Sequence, residues 1–139
     1  FKGKMNFMVT YQYVKFLGAL YMGEMAHRHP DLRLMTVSPG STSGTEIYNN
    51  APLSTKMVMK AISFLPLKSI REGNFHSVED GAKRYVDALN DEAYKTGVFY
   101  ASEQTSLRGP MVDQGDFFSD LRNELYQDNA REALHRFVS

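Results

Sequence analysis

The stretch TYQYVKF, residues 10–16, carries a tyrosine and a lysine four positions apart, Tyr11 and Lys15. On a helix such a pair shares one face. A phenol titrates near about pH 10 in water, and a close ammonium favours the phenolate. A tyrosine tuned in this way can pass a proton to or from a carbonyl or alcohol oxygen near neutral pH. The same spacing also arises from a tyrosine at the edge of a core beside a solvated lysine. Spacing alone does not separate the two.

A second candidate is TVSPGSTSGTE, residues 36–46. Gly40 and Gly44 permit close approach of backbone to a ligand. Ser41, Thr42, Ser43 and Thr45 offer hydroxyl and N–H groups. A loop at the carboxyl end of a parallel strand is where open α/β sheets bind ligands. The alternative is a plain turn, since Pro and Gly are common turn residues.

Other chemistries find little support. His27 and His29 are two apart on a helix and face different ways, so they suit no common metal. His76 stands beside a helix cap, and His135 suits the last turn of a helix. No metal site is expected. No serine has a clear His and Asp constellation. Neither G-x-G-x-x-G nor a P-loop occurs. There is no cysteine, which excludes disulfides and thiolate catalysis and fits a reducing compartment. Met57 and Met59 read as packing residues.

Composition sets the frame for these residues. The chain has 139 residues, 42% of them hydrophobic and 23% charged, with a formal net charge of zero. That is enough for one domain with one core. Nothing in the charge balance draws the chain to nucleic acid or an anionic membrane. No run approaches the roughly 18 apolar residues of a membrane span. Lys2 and Lys4 before an apolar stretch resemble a signal peptide, but Thr10, Gln12 and Lys15 interrupt it. The chain starts with Phe, which suggests a fragment or a processed chain.

The elements that must position the candidates follow from periodicity. The spacing predicts a first helix from Val9 to His29, with Val14, Leu17, Tyr21 and Met25 on one face and Phe16, Ala19 and Leu20 on another. Gly18, Gly23 and Ala26 would admit a close neighbour. A helix apolar on most sides is expected between a sheet and a second helix, from the same chain or a partner. Pro30 ends it. Leu32, Leu34, Met35 and Val37 read as an inner strand that stops at Pro39-Gly40. Ile47 to Phe75 reads as a long excursion with short apolar helices broken at Pro66, of the kind that forms lids or substrate walls. A further helix follows Ser77 as cap, with Glu79 and Asp80 in its first turn. Its expected buried stripe is Val78, Ala82, Tyr85, Val86 and Leu89. The strand VFYAS follows Gly97, and a surface helix is expected from about Gly115 to Val138. Helix, strand, loop, helix, strand, helix is the pattern of an α/β parallel sheet with helices on its faces. Two strands are few for such a sheet, so the chain reads as part of something larger or in need of a partner.

Taken together, the Y-x-x-x-K pair and the strand ending in Pro-Gly resemble the second half of a short-chain dehydrogenase/reductase. The likeness in order and spacing runs over residues 10–46, and the helix from Ser77 and the strand GVFYAS also match the end of such a domain. The flavour is similar to the branch containing protochlorophyllide and retinol reductases. The resemblance implies the C-terminal part of a Rossmann-like doubly wound sheet, one partial domain over residues 1–139 with a substrate loop at 46–76. It implies NAD(P) as cofactor and hydride transfer to or from a small-molecule carbonyl or alcohol. Tyr11 would be the catalytic acid–base. Lys15 would lower its pKa and bind the nicotinamide ribose. Pro39 and Gly40 would wall the nicotinamide, and Ser41, Thr42 and Thr45 would reach the carboxamide and pyrophosphate. Val14 stands where the family has a small residue, and Gly44 occupies one slot for the family's hydroxyl residue. The glycine-rich phosphate turn, the ribose selector and the catalytic serine would lie upstream of Phe1. By resemblance, the protein is expected to be a cytoplasmic enzyme, homo-oligomeric through the first helix, with these 139 residues alone inactive. The competing expectation is a non-catalytic α/β assembly or dimerisation module derived from that fold.

Overall fold

A computed structural model describes residues 7–40, 42, 53, 57, 76–103, 106 and 108–138. The elements are helix α1 (Phe7–Arg28), strand β1 (Thr36–Val37), helix α2 (Val78–Asn90), strands β2 (Phe99–Ser102) and β3 (Met111–Asp113), and helix α3 (Glu124–Val138). Two 3-10 turns, Gln114–Asp116 and Ser119–Arg122, link β3 to α3. The chain is thus mixed α/β, with three helices and one small sheet among the described residues.

The sheet order is β1-β2-β3. β1 and β2 are parallel, with Thr36 opposite Phe99 and Val37 opposite Tyr100. Their ladder continues past the short strands: Gly97 N donates to Leu34 O at 2.7 Å, and Ser38 N to Tyr100 O at 2.8 Å. β2 and β3 are antiparallel, pairing Ala101 with Val112. The sheet is therefore mixed, and β3 corrects the expectation of two parallel strands. Three residues are too few to show a period of two, so MVD carries no strand signal of its own.

Side chains alternate across a strand. Phe99 packs against the cluster of Ala19, Leu20, Leu121 and Ala130, which also gathers Phe16 and Leu17. Ser102, three residues on and on the other face, accepts a hydrogen bond from Arg84 of α2. Hence α1 and α3 cover one face of the sheet, and α2 lies on the other. α1 packs chiefly along α3.

Local signals explain the helix ends. His29 N still donates to Met25 O, and Pro30 then stops α1. Ser77 and Asp80 form a reciprocal capping box at the start of α2. Asn123 Oδ1 accepts from Leu125 N and Tyr126 N and starts α3. The expected helix from Gly115 begins nine residues later, at Glu124. Asp113 accepts from Gly115 N, and Arg122 pairs with Asp113 and Asp116, which holds the intervening chain in tight turns.

Two expected faces are corrected. On α2 the stripe Val78, Ala82, Tyr85, Val86 and Leu89 is exposed, Leu89 at 69%, while Gly81, Arg84 and Ala88 are buried. On α1, Val14 is 62% exposed, and the buried positions include Ala19, Leu20, Ala26 and the charged Glu24. Glu24 pairs with Arg28 one turn on and lies 4.0 Å from Arg131 of α3. Gln127, also buried, donates to Leu121 O at 2.6 Å. The α1–α3 seam thus holds a polar stretch inside an otherwise apolar helix. Gly23 makes room for it, since a Cβ there would lie 2.7 Å from Gln127 Nε2.

Candidate functional site

Tyr11 and Lys15 lie on the first half of α1, as their spacing requires. Tyr11 is half-buried and Lys15 exposed. The Lys15 ammonium lies over the Tyr11 ring, 5.5 Å from its centroid. That is a cation–π arrangement, worth about 0.5–1 kcal/mol at an exposed site. Val9, Tyr13 and Val14 beside them are exposed.

The second candidate group forms around the carboxyl end of β1. The ladder bond of Ser38 brings Pro39 and Gly40 over the end of the parallel pair. Gly40 adopts φ +76°, a conformation that favours glycine. Its missing side chain is also required by space. A Cβ there would lie 2.7 Å from His76 Cδ2 and 3.1 Å from Arg84 Nη1. Thr42 forms a parallel bridge with His76. A Cβ on Gly81 would meet Thr42 Oγ1 at 2.9 Å and Pro39 Cβ at 3.4 Å. The first turns of α2 therefore press directly on the loop that follows β1.

Arg84 is the charged group at this junction. It is 7% exposed. Its guanidinium donates to Ser102 Oγ at 2.9 Å and to Gly109 O at 2.6 Å. Burial lowers its pKa, and Tyr94 opposes that in small part. One residue thus ties α2 to the end of β2, to the turn before β3, and to Gly40.

Of the sequence candidates, the structure gathers Pro39, Gly40 and Thr42 into one cluster and pairs Tyr11 with Lys15. Among the described residues, neither Tyr11 nor Lys15 makes a hydrogen bond or ring contact to Pro39 or Gly40. Ser41, Thr45 and nearly all of the 46–76 segment lie outside the described residues. His76, at the end of that segment, is buried beside Gly40. Sequence reasoning missed Arg84, because it stands on what looks like the polar face of an amphipathic helix. The available signal was its flanks: Gly81 and Ala88, small residues three before and four after, mark a face that packs closely.

A shallow cleft of about 430 Å³ lies at the opposite, amino ends of β1 and β2, with Pro30, Leu32, Tyr94 and Thr96 in its wall. Its Arg33 is committed to structure. That guanidinium donates to Leu89 O at 2.8 Å and Tyr94 O at 2.9 Å, and also to Asp91 O, closing the end of α2. Among the described residues, no three His, Asp or Glu side chains are grouped to hold a metal ion, and no helix is long and apolar enough to cross a membrane.

No protein-family model, curated protein or solved structure matches the chain.

Proposed function

We propose that the chain is the C-terminal part of a Rossmann-like short-chain dehydrogenase/reductase, an NAD(P)-dependent oxidoreductase of the cytoplasm. The observation that carries the reading is the parallel register of β1 and β2, with helices on both faces and Pro39-Gly40 at the carboxyl end of β1. Open α/β sheets bind their ligands at that end. The helix that feeds β1 bears Tyr11 and Lys15 on one face. In this reading Tyr11 exchanges a proton with the oxygen of a small carbonyl or alcohol. Lys15 supplies the neighbouring charge and binds the ribose. Pro39 and Gly40 wall the nicotinamide, and Ser41, Thr42 and Thr45 reach the rest of the cofactor. Bound NAD(P) would carry the hydride. A glycine-rich phosphate turn is not among these 139 residues, so turnover by them alone is not expected.

Two measurements test the reading. Titration with NADPH and NADH, followed by nicotinamide fluorescence, measures what these residues bind unaided. In a protein that also carries a dinucleotide-binding half, Tyr11→Phe abolishes turnover and leaves cofactor affinity nearly intact. Retained turnover would clear Tyr11 of the role.

A second reading is favoured by the exposed Val9, Tyr13 and Val14 on α1. In that reading the chain is an assembly module, homo-oligomeric through the first helix. Sedimentation of the wild type and of Tyr13→Glu decides it: a species that stays monomeric at high micromolar concentration sinks it.

A further inference from the structure

We infer that Arg84 is an oxyanion-recognition residue, taking a phosphate or carboxylate of a small molecule at the carboxyl ends of β1 and β2. The inference does not rest on the reductase reading. Its ground is a buried charge that, among the described residues, is held only by neutral groups. A guanidinium has five N–H donors. Two of Arg84's are spent, on the Ser102 hydroxyl and the Gly109 carbonyl. Among the described residues it forms no ion pair. Asp80, on the same helix, faces Arg108 at 3.8 Å, and Glu103 packs against Gly109 without pairing with Arg84. Taking a cation out of water is costly, and neutral dipoles return only part of that cost. A bidentate oxyanion is the partner the planar fork fits best.

Position supports the same conclusion. Ser102 ends β2, and Gly40 follows β1, so Arg84 bridges the carboxyl ends of both parallel strands. Gly40, by lacking a side chain, lets the guanidinium and the His76 imidazole come within contact of the backbone. Arg33, an exposed arginine that also donates to backbone carbonyls, offers a contrast. Arg33 spends its guanidinium on three carbonyls at a helix C-terminus, where the dipole itself supplies negative charge. Among the described residues, Arg84 has the Ser102 hydroxyl and the Gly109 carbonyl and no negative charge.

The test is a titration of arginine-labelled protein with sodium phosphate, sodium acetate and sodium chloride at matched ionic strength. The Arg84 Nε–H resonance, assigned through its own backbone, is the reporter. A saturable shift with phosphate alone assigns a phosphate group, and one with acetate alone assigns a carboxylate. Thermal unfolding adds a second arm. The effective anion raises the melting temperature of the wild type, and Arg84→Lys weakens that anion about tenfold or more. A resonance unmoved by both anions, or moved equally by chloride, overturns the inference. So does an Arg84→Lys protein with the wild-type gain. If that variant does not fold, the wild-type titration decides alone.

Discussion

Helices α1 and α2 reverse what their sequences suggest. α1 is apolar nearly all round, yet Glu24 is among its most buried side chains, at 5% exposure. α2 is strongly amphipathic, yet its apolar stripe faces outward and its buried positions are Gly81, Arg84 and Ala88. The difference lies in what each helix is pressed against. α1 lies along α3, whose Gln127 and Arg131 bring polar groups into the seam. α2 sits over the ends of strands, where loop backbone and a hydroxyl offer acceptors rather than an apolar floor. A helical period reveals that two faces differ. The neighbour decides which of them is covered.

Gly40→Ala gives the largest effect expected. It demands both a left-handed alanine and room now filled by His76 and Arg84. Urea unfolding shows a loss of about 2–4 kcal/mol. A near-neutral result would mean that α2 is not docked on the β1 loop as described.

Leu20→Ala follows, at about 2–3 kcal/mol, from a cluster that joins α1 to α3 and Phe99. The same unfolding measurement checks it, and a loss below about 1 kcal/mol would remove α1 from the core.

Glu24→Gln keeps the shape of the side chain but leaves Arg28 and Arg131 without their shared carboxylate. The expected loss is about 1–2 kcal/mol, read from urea curves at low and high salt. The exposed pair Lys83–Asp87 on α2 supplies the control: Lys83→Ala changes stability by no more than about 0.5 kcal/mol. Equal effects at the two pairs would erase the contrast between the helices.

Arg33→Ala frees the carbonyls of Leu89, Asp91 and Tyr94. About 1 kcal/mol is expected, with faster amide exchange in the last turn of α2 as its signature.

The smallest effect is the most discriminating. Leu89→Gln lies on the apolar stripe of α2 and is expected to fall within about 0.5 kcal/mol of wild type. A loss of about 2 kcal/mol or more would place that stripe in a packed interface and restore the pattern-based reading.

The features legible in the sequence were those set by neighbours along the chain. Pro30 stops α1, Ser77 and Asp80 box the start of α2, and Pro39-Gly40 follows the first strand. The parallel pairing of the two longer-range strands also followed from the intervening helix, because a crossover connection allows it. Less legible was the segment between β3 and α3. Phe118 and Leu121 keep helical spacing with Leu125, but Asp113 and Arg122 bind the chain into turns first. At the candidate site, Pro39, Gly40 and Thr42 were visible as a loop. Arg84, which lies more than forty residues further on, was not.

The sequence by itself determined where α1 stops and where α2 starts, because capping and proline sterics act over three or four residues. It also determined that the helix bearing Tyr11 and Lys15 leads into a strand ending at Pro39-Gly40. Only the tertiary structure decided which faces are buried, that β3 closes the sheet antiparallel, and that a guanidinium sits beneath Gly40. Each of these depends on groups distant in sequence, and no local period encodes the chemistry of the surface that a helix will meet.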